Sequence, residues 1–175
     1  MQKLDISKTH IYASSYSTSM ALRFAIDYPE HVGKLVLQCP GLSGGAPLMF
    51  QPTPPEGIKA LQEFREDPSR ERMERIMRLF IPNEEFRSDA LIERRLQSAM
   101  LPGHIEATRA LAGNNSDIVK DLSRLTAPSL VLWGHQDWMV PVEGALLALV
   151  RLPDVRVHIW GDTGHFVAYE RREEF

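Results

Sequence analysis

Three residues far apart in the chain carry the side chains that hydrolytic chemistry needs: Ser15, Asp137 and His165. A serine hydroxyl is a poor nucleophile until a base takes its proton. Imidazole can do so near neutral pH when a carboxylate holds its tautomer and steadies the imidazolium. Ser15 lies between a β-prone run, Thr9-His10-Ile11-Tyr12, and a helical pattern with Met20, Ala21, Phe24 and Ala25 on one face. Strand, tight turn with a serine at its apex, helix: this is the layout of a nucleophile elbow. Glycine usually stands two residues to either side of such a serine, because the turn is strained and a Cβ crowds the incoming helix. Here Ala13 and Ser17, the smallest substitutes, take those places. Each member of the trio also has a plain structural reading. The serine-rich stretch can be an ordinary helix cap, Asp137 can cap a turn, and His165 can be a hydrogen-bonded loop histidine. The other histidines, at 10, 31, 104, 135 and 158, lack a comparable setting and read as structural or solvated.

The elements that would position the trio follow from periodicity. The first helix runs to Asp27-Tyr28 and stops at Pro29. Lys34-Leu-Val-Leu-Gln-Cys39 is a buried strand, so strand, helix and strand form a crossover unit of a parallel sheet. Residues 41–57 are rich in glycine and proline and read as a linker or pocket wall. From Glu56 to about Gly113 the pattern is helical and charged. Asp67-Pro68 predicts a helix start, followed by the apolar stripe Met73, Ile76, Met77 and Phe80, which reads as helix packing. Ser88 to Met100 and His104 to Ala112 are two further helices. Ser129 to Trp133 and Val155 to Trp160 are strands around a helix at Val142 to Leu152, and Arg171 to Phe175 reads as a first helical turn. The fold class is therefore α/β: about four mainly parallel strands with an inserted helical segment. Residues 1–43 and 121–175 form the core and 44–120 the insertion. Ser15, Asp137 and His165 then each follow a strand, where functional groups collect in parallel sheets.

Composition excludes several classes. The chain has 175 residues, 43% hydrophobic and 25% charged, with 20 basic and 23 acidic residues and a net charge of −3. This balance gives no electrostatic reason to expect a nucleic acid or an anionic membrane as partner. No apolar run is long enough to span a bilayer, and the single Cys39 fits a reducing cytoplasm, as a buried small hydrophobe. No Cys/His cluster has zinc spacing, and Gly41-Leu-Ser-Gly44-Gly45 fits neither a phosphate loop nor a dinucleotide fingerprint, so no metal or cofactor is expected.

The order Ser, Asp, His is that of α/β-hydrolase triads. The chain resembles the C-terminal part of an α/β-hydrolase in Ala21-Leu-Arg-Phe-Ala-Ile-Asp-Tyr-Pro29, Gly33-Lys-Leu-Val-Leu37, Gly134-x-x-Asp137-x-x-x-Pro141 and Gly164-His165. More narrowly it resembles the meta-cleavage product hydrolases, which split carbon–carbon bonds in ring-opened catechols. That likeness rests on Gly44-Gly45 with Pro47 and Phe50, Pro55-Glu-Gly-Ile-Lys59 and Asp67-Pro-Ser69. The resemblance implies a helical lid, a nucleophile at Ser15, and an oxyanion donor at the N–H of Tyr16. It also implies substrate-binding residues at Arg95, or Arg94 if the register slips, and Phe166. The substrate would be a small molecule of the 2-hydroxy-6-oxo-dienoate type. The family has further strands ahead of its elbow, so the strand at 9–13 is expected to lie bare at a sheet edge and drive self-association. Ester cleavage by the same trio, and a truncated chain that is a catalytically inactive relic or a binding module, stand beside the carbon–carbon reading.

Overall fold

A computed structural model describes residues 2–42, 54–111 and 118–175. Strands β1 (Thr9–Ser14), β2 (Val32–Gln38), β3 (Ser129–Gly134) and β4 (Val155–Trp160) form one parallel sheet in the order β1-β2-β3-β4. Helix α1 (Ser17–Asp27) joins β1 to β2, and α6 (Glu143–Arg151) joins β3 to β4. Between β2 and β3 the chain forms α2 (Glu56–Glu66), α3 (Arg70–Phe80), α4 (Asp89–Ala99) and α5 (His104–Leu111). The short α7 (Val167–Glu170) follows β4. No helix among the described residues is long and apolar enough to cross a membrane.

The sheet core is built by period-two and period-3.6 patterns meeting. Leu35 and Leu37 of β2 and Val131 and Trp133 of β3 pack against Leu22 and Ala25 of α1 and Ala145 and Ala148 of α6, all at most 1% exposed. A second apolar cluster lies among the helices: Ala60, Phe64, Met73, Ile76, Met77, Phe80, Ile81, Leu91 and Ile92, with Met139. The predicted stripe on α3 is thus helix packing. Gly57 docks this layer onto the chain beside β3: its N–H donates to the Trp138 carbonyl at 3.0 Å, and a side chain there would collide with Met139.

Two helix boundaries differ from the expectation. The cap of α3 is Ser69, whose hydroxyl accepts from the Arg72 N–H at 3.3 Å, and not Asp67. Asp67 instead ends α2, its N–H still bonded to the Glu63 carbonyl at 3.1 Å. The last helical segment is α7, with Tyr169 and Glu170 N–H groups on the Phe166 carbonyl; Arg171–Phe175 continues it as a turn. The Gly44, Gly45, Pro47 and Phe50 motif, and the end of the third predicted helix at Ala112, lie outside the described residues.

Candidate active site

Ser15 directly follows β1 in the left-handed region, with φ of 54°. A residue with a Cβ holds this conformation at a cost of about 1–3 kcal/mol, and the neighbours over-determine it. The Ser15 N–H donates to the Gln38 carbonyl at 2.8 Å, and its carbonyl accepts from the Thr18 N–H at 3.0 Å and hydroxyl at 2.6 Å. Ser17 shows how the turn forms without the usual flanking glycine. Its Oγ accepts from the Ser14 N–H at 3.0 Å and donates to the Ser14 carbonyl at 2.8 Å, so the side chain closes the turn. Tyr16 begins the helical backbone at φ −54°, ψ −38°. Its N–H, just ahead of α1, has no partner among the described residues and lies at the positive end of the helix.

The Asp137–His165 pair is buried and bonded. Asp137 is 0% exposed and His165 2%. The His165 Nδ1 lies 2.7 Å from Asp137 Oδ2, while Oδ1 accepts from the N–H groups of Met139 and Val140 at 2.8 and 2.9 Å. Three donors converge on one carboxylate, which fixes its orientation and that of the ring. The main chain of His165 is held from the helical layer, its N–H donating to the Phe80 carbonyl at 2.7 Å. Gly164 permits this approach, since a Cβ there would strike that same carbonyl oxygen. The Phe80 ring lies 5.1 Å from the imidazole, centroid to centroid, and stacks on Phe166 at 4.8 Å.

The structure therefore brings Asp137 and His165 into contact, while the half-buried Ser15 hydroxyl bonds to neither. Ser15 and His165 are joined through Gln38, whose main chain holds Ser15 and whose side chain donates to the His165 carbonyl at 3.0 Å. On α4, the Arg95 guanidinium carbon sits 5.4 Å above the centre of the Phe166 ring, and Arg94 and Arg95 are both exposed. Arg95 keeps an open edge, yet enough of it is withdrawn from water that desolvation, with the Arg94 charge, lowers its pKa. A cavity of about 130 Å³ opens beside it, lined by Arg65, His104 and apolar residues including Phe64 and Phe80. Desolvation and then the charge of Arg109 likewise lower the pKa of Arg65. Among the described residues neither Arg65 nor Arg95 pairs with a carboxylate.

Cys39, at φ 44°, lies beneath the pair, and its ligand atom and those of Asp137 and His165 are within 4.8 Å of one another. This trio is a poor metal cage. Burial, and then the charge of Asp137, push the thiol pKa well up, and both Asp137 oxygens are already engaged. Sequence reasoning missed Gln38 and the site role of Phe80. A glutamine closing an otherwise apolar strand was the available signal for the first. The second had none, because Phe80 falls on a stripe that packing alone explains.

A parallel sheet with a strained serine after one strand and a buried carboxylate–imidazole pair after two others defines a hydrolase-type α/β architecture. The chain belongs to the alpha/beta hydrolase fold family, whose sequence profile matches residues 1–171. It is 34% identical over 180 residues to a 2-hydroxy-6-oxononadienedioate/2-hydroxy-6-oxononatrienedioate hydrolase of Cupriavidus pinatubonensis, covering 100% of this chain and 62% of that one. It is 30% identical, over the same shares, to the 2-hydroxy-6-oxo-6-phenylhexa-2,4-dienoate hydrolase of Burkholderia cepacia. The solved 2-hydroxy-6-oxo-6-phenylhexa-2,4-dienoate hydrolase of a Rhodococcus species superposes with a TM-score of 0.85 at 22% identity, over 99% of this chain and 63% of the other. The chain thus spans about 62% of the length of the curated relatives it matches.

Proposed function

We propose that the chain carries the catalytic apparatus of a serine hydrolase that cleaves a carbon–carbon bond in a ring-opened aromatic dienoate. The observation that carries the reading is the buried Asp137–His165 bond of 2.7 Å, tied through Gln38 to the strained turn at Ser15. His165, held by Asp137, takes the proton of Ser15 as its oxygen attacks the ketone carbon of the substrate. The Tyr16 N–H at the start of α1 faces the developing oxyanion. Before that attack the dienol ketonises, which puts a proton on the carbon next to the ketone. The bond between them then breaks, its electron pair passing into the 2-oxo group to leave the 2-hydroxydienoate, protonated from His165. A water deprotonated by His165 releases the acyl group from Ser15 as a carboxylic acid. Helices α2–α5 serve as the lid, and Arg95 on α4 holds the carboxylate of the dienoate.

The relatives' names carry two substrate classes, an aliphatic dienedioate and a 6-phenyl dienoate. The cavity lies among the helices and adjoins His165 through the Phe80 ring. For a substrate reaching from Ser15 into it, the dienedioate would be favoured, because Arg65 and Arg95 both line it and neither has a carboxylate partner among the described residues. A second carboxylate on the ligand would supply one. The test is cleavage of 2-hydroxy-6-oxononadienedioate by the full chain, followed by the loss of its visible absorbance. Ser15→Ala should lower the rate by about a thousandfold or more. The 6-phenyl substrate should react with a kcat/KM about tenfold lower, and Arg65→Gln should erase the difference. Cleavage that survives Ser15→Ala overturns the mechanism, and an equal rate on both substrates overturns the preference.

A further inference from the structure

We infer that Gln38 is a positioning residue, setting the separation of Ser15 and His165; this rests on the serine-hydrolase reading above. Gln38 is 3% exposed at the carboxyl end of β2, opposite Ser14 in the register of β1 and Leu132 in that of β3. An apolar side chain would suit a place between such neighbours, and an amide there is costly unless every polar atom is paired. Every one is. Nε2 donates to the Ser14 Oγ at 2.9 Å and to the His165 carbonyl at 3.0 Å. Oε1 accepts from the Tyr12 hydroxyl at 2.9 Å and the Ala168 N–H at 3.0 Å. The orientation of the amide is not a matter of choice, because the Ala168 N–H can only donate and the His165 carbonyl can only accept.

Two donors and two acceptor positions are thus spent on two segments, the end of β1 and residues 165–168. The main-chain carbonyl of the same residue takes the Ser15 N–H at 2.8 Å. Ser15 and His165 come from turns 150 residues apart in the chain, and each turn has its own internal bonds. Those internal bonds shape each turn; they do not fix one against the other. Gln38 does, with rigid groups and no free rotor once its four bonds are made. Proton transfer from serine to imidazole tolerates little error, and a misplacement of about 1 Å costs on the order of a hundredfold in rate.

The test uses the full chain and a p-nitrophenyl phosphonate ester as the probe, with labelling of Ser15 followed by intact mass. Gln38→Met should lower the maximal labelling rate by about tenfold to a hundredfold while the half-saturating probe concentration stays within about twofold. Ser14→Ala, which removes one of the two side-chain bonds to β1 and leaves the strand intact, should lower it about threefold, and the double variant should be no slower than Gln38→Met alone. A purely structural role predicts a lower Tm with full labelling once the sample is cooled well below it, and that result overturns the inference. So does a double variant whose losses multiply. If Gln38→Met does not fold, Gln38→Leu is read the same way, since it likewise removes all four side-chain bonds without adding a charge. A wild type that takes no label overturns the hydrolase reading and this one with it. A labelled wild type with an unaffected Gln38 variant overturns this one alone.

Discussion

Among the described residues, the seven buried polar ones, Thr18, Gln38, Ser129, Asp137, Thr163, His165 and Glu170, lie in and around the parallel sheet, while the buried residues of α2–α5 are all apolar. The helical layer keeps its many charges outside, where Arg70 alone reaches Glu74, Asp89 and Glu93. The contrast has a physical reading. A buried polar atom demands a partner at a set distance and angle, so the sheet end is an arrangement with one solution. Apolar contacts, and methionine contacts above all, accept many arrangements of equal energy. The sheet end can therefore hold polar groups at set positions, while the helical layer keeps an apolar core of its own and meets the sheet end at a few bonds, such as the Phe80 carbonyl on the His165 N–H.

The largest effect that would break this comparison is at Asp137. Asp137→Asn keeps an acceptor for Met139 and Val140 but turns an N–H₂ group toward the His165 Nδ1, which must then accept instead of donate. The proton moves to the other ring nitrogen, which under the proposed mechanism removes the base that Ser15 needs. The rate on the dienedioate substrate should fall by about ten-thousandfold with the fold retained. A fall of less than about tenfold would show that the sheet end is not the reacting site. In the helical layer the expected result is the reverse. Met77, 0% exposed on α3, should cost about 2–5 kcal/mol of stability when changed to alanine, while Met77→Leu costs under about 1.5 kcal/mol. Urea unfolding measures both, and kcat below the transition should change little in either variant.

These two regions were unequally legible in the sequence. The strands, α1, α6 and the apolar stripe of α3 were readable because burial leaves periods of two and 3.6 in the pattern. Asp137 and His165 were readable because each lies in the loop after a strand whose end is marked by a glycine, Gly134 and Gly161, and their order along the chain is informative. What was not readable is what depends on contacts between distant segments. Ser17 looked like an unfavourable replacement for glycine, and only its bonds to Ser14 show how it closes the turn. Ser69 rather than Asp67 caps α3, because both are good caps two residues apart and the exit from α2 decides between them. Gln38, the residue that joins the two halves of the site, carries no local signature beyond being polar in an apolar run.

A smaller effect sharpens the same contrast by titrating the sheet end. Glu170 is 5% exposed; its Oε1 accepts from the Gly164 N–H at 3.0 Å and its Oε2 is buried without a partner among the described residues. Burial is the main cause that pushes its pKa up to about 7. The sign follows from proton counting. Between the ordinary carboxylate range near 4.5 and about 7, the folded chain keeps a proton that the unfolded chain has lost, so stability falls as pH rises through that window. Glu170→Gln cannot ionise and should lose this slope, so its urea midpoint should overtake the wild type's as pH rises from about 5 to about 7.5. Parallel curves for the two proteins would show that the carboxyl ionises as freely folded as unfolded.

The smallest effect belongs to the outer face of the helical layer. Arg70 bridges α3 to α4 with bonds of 2.8 Å to Asp89 and 3.3 Å to Glu93, and it also reaches Glu74 at 2.9 Å. Three partners suggest a strong tie, yet the Arg70 side chain is 43% exposed and that of Asp89 91%. Water screens such pairs, and ordering the long side chains offsets much of the attraction. Arg70→Gln should therefore cost under about 1 kcal/mol in urea unfolding at low salt, and less at about 0.5 M sodium chloride. A salt-independent loss of about 3 kcal/mol would place the hold of the helical layer in its charges instead of its apolar core, and the division between the two regions would fail.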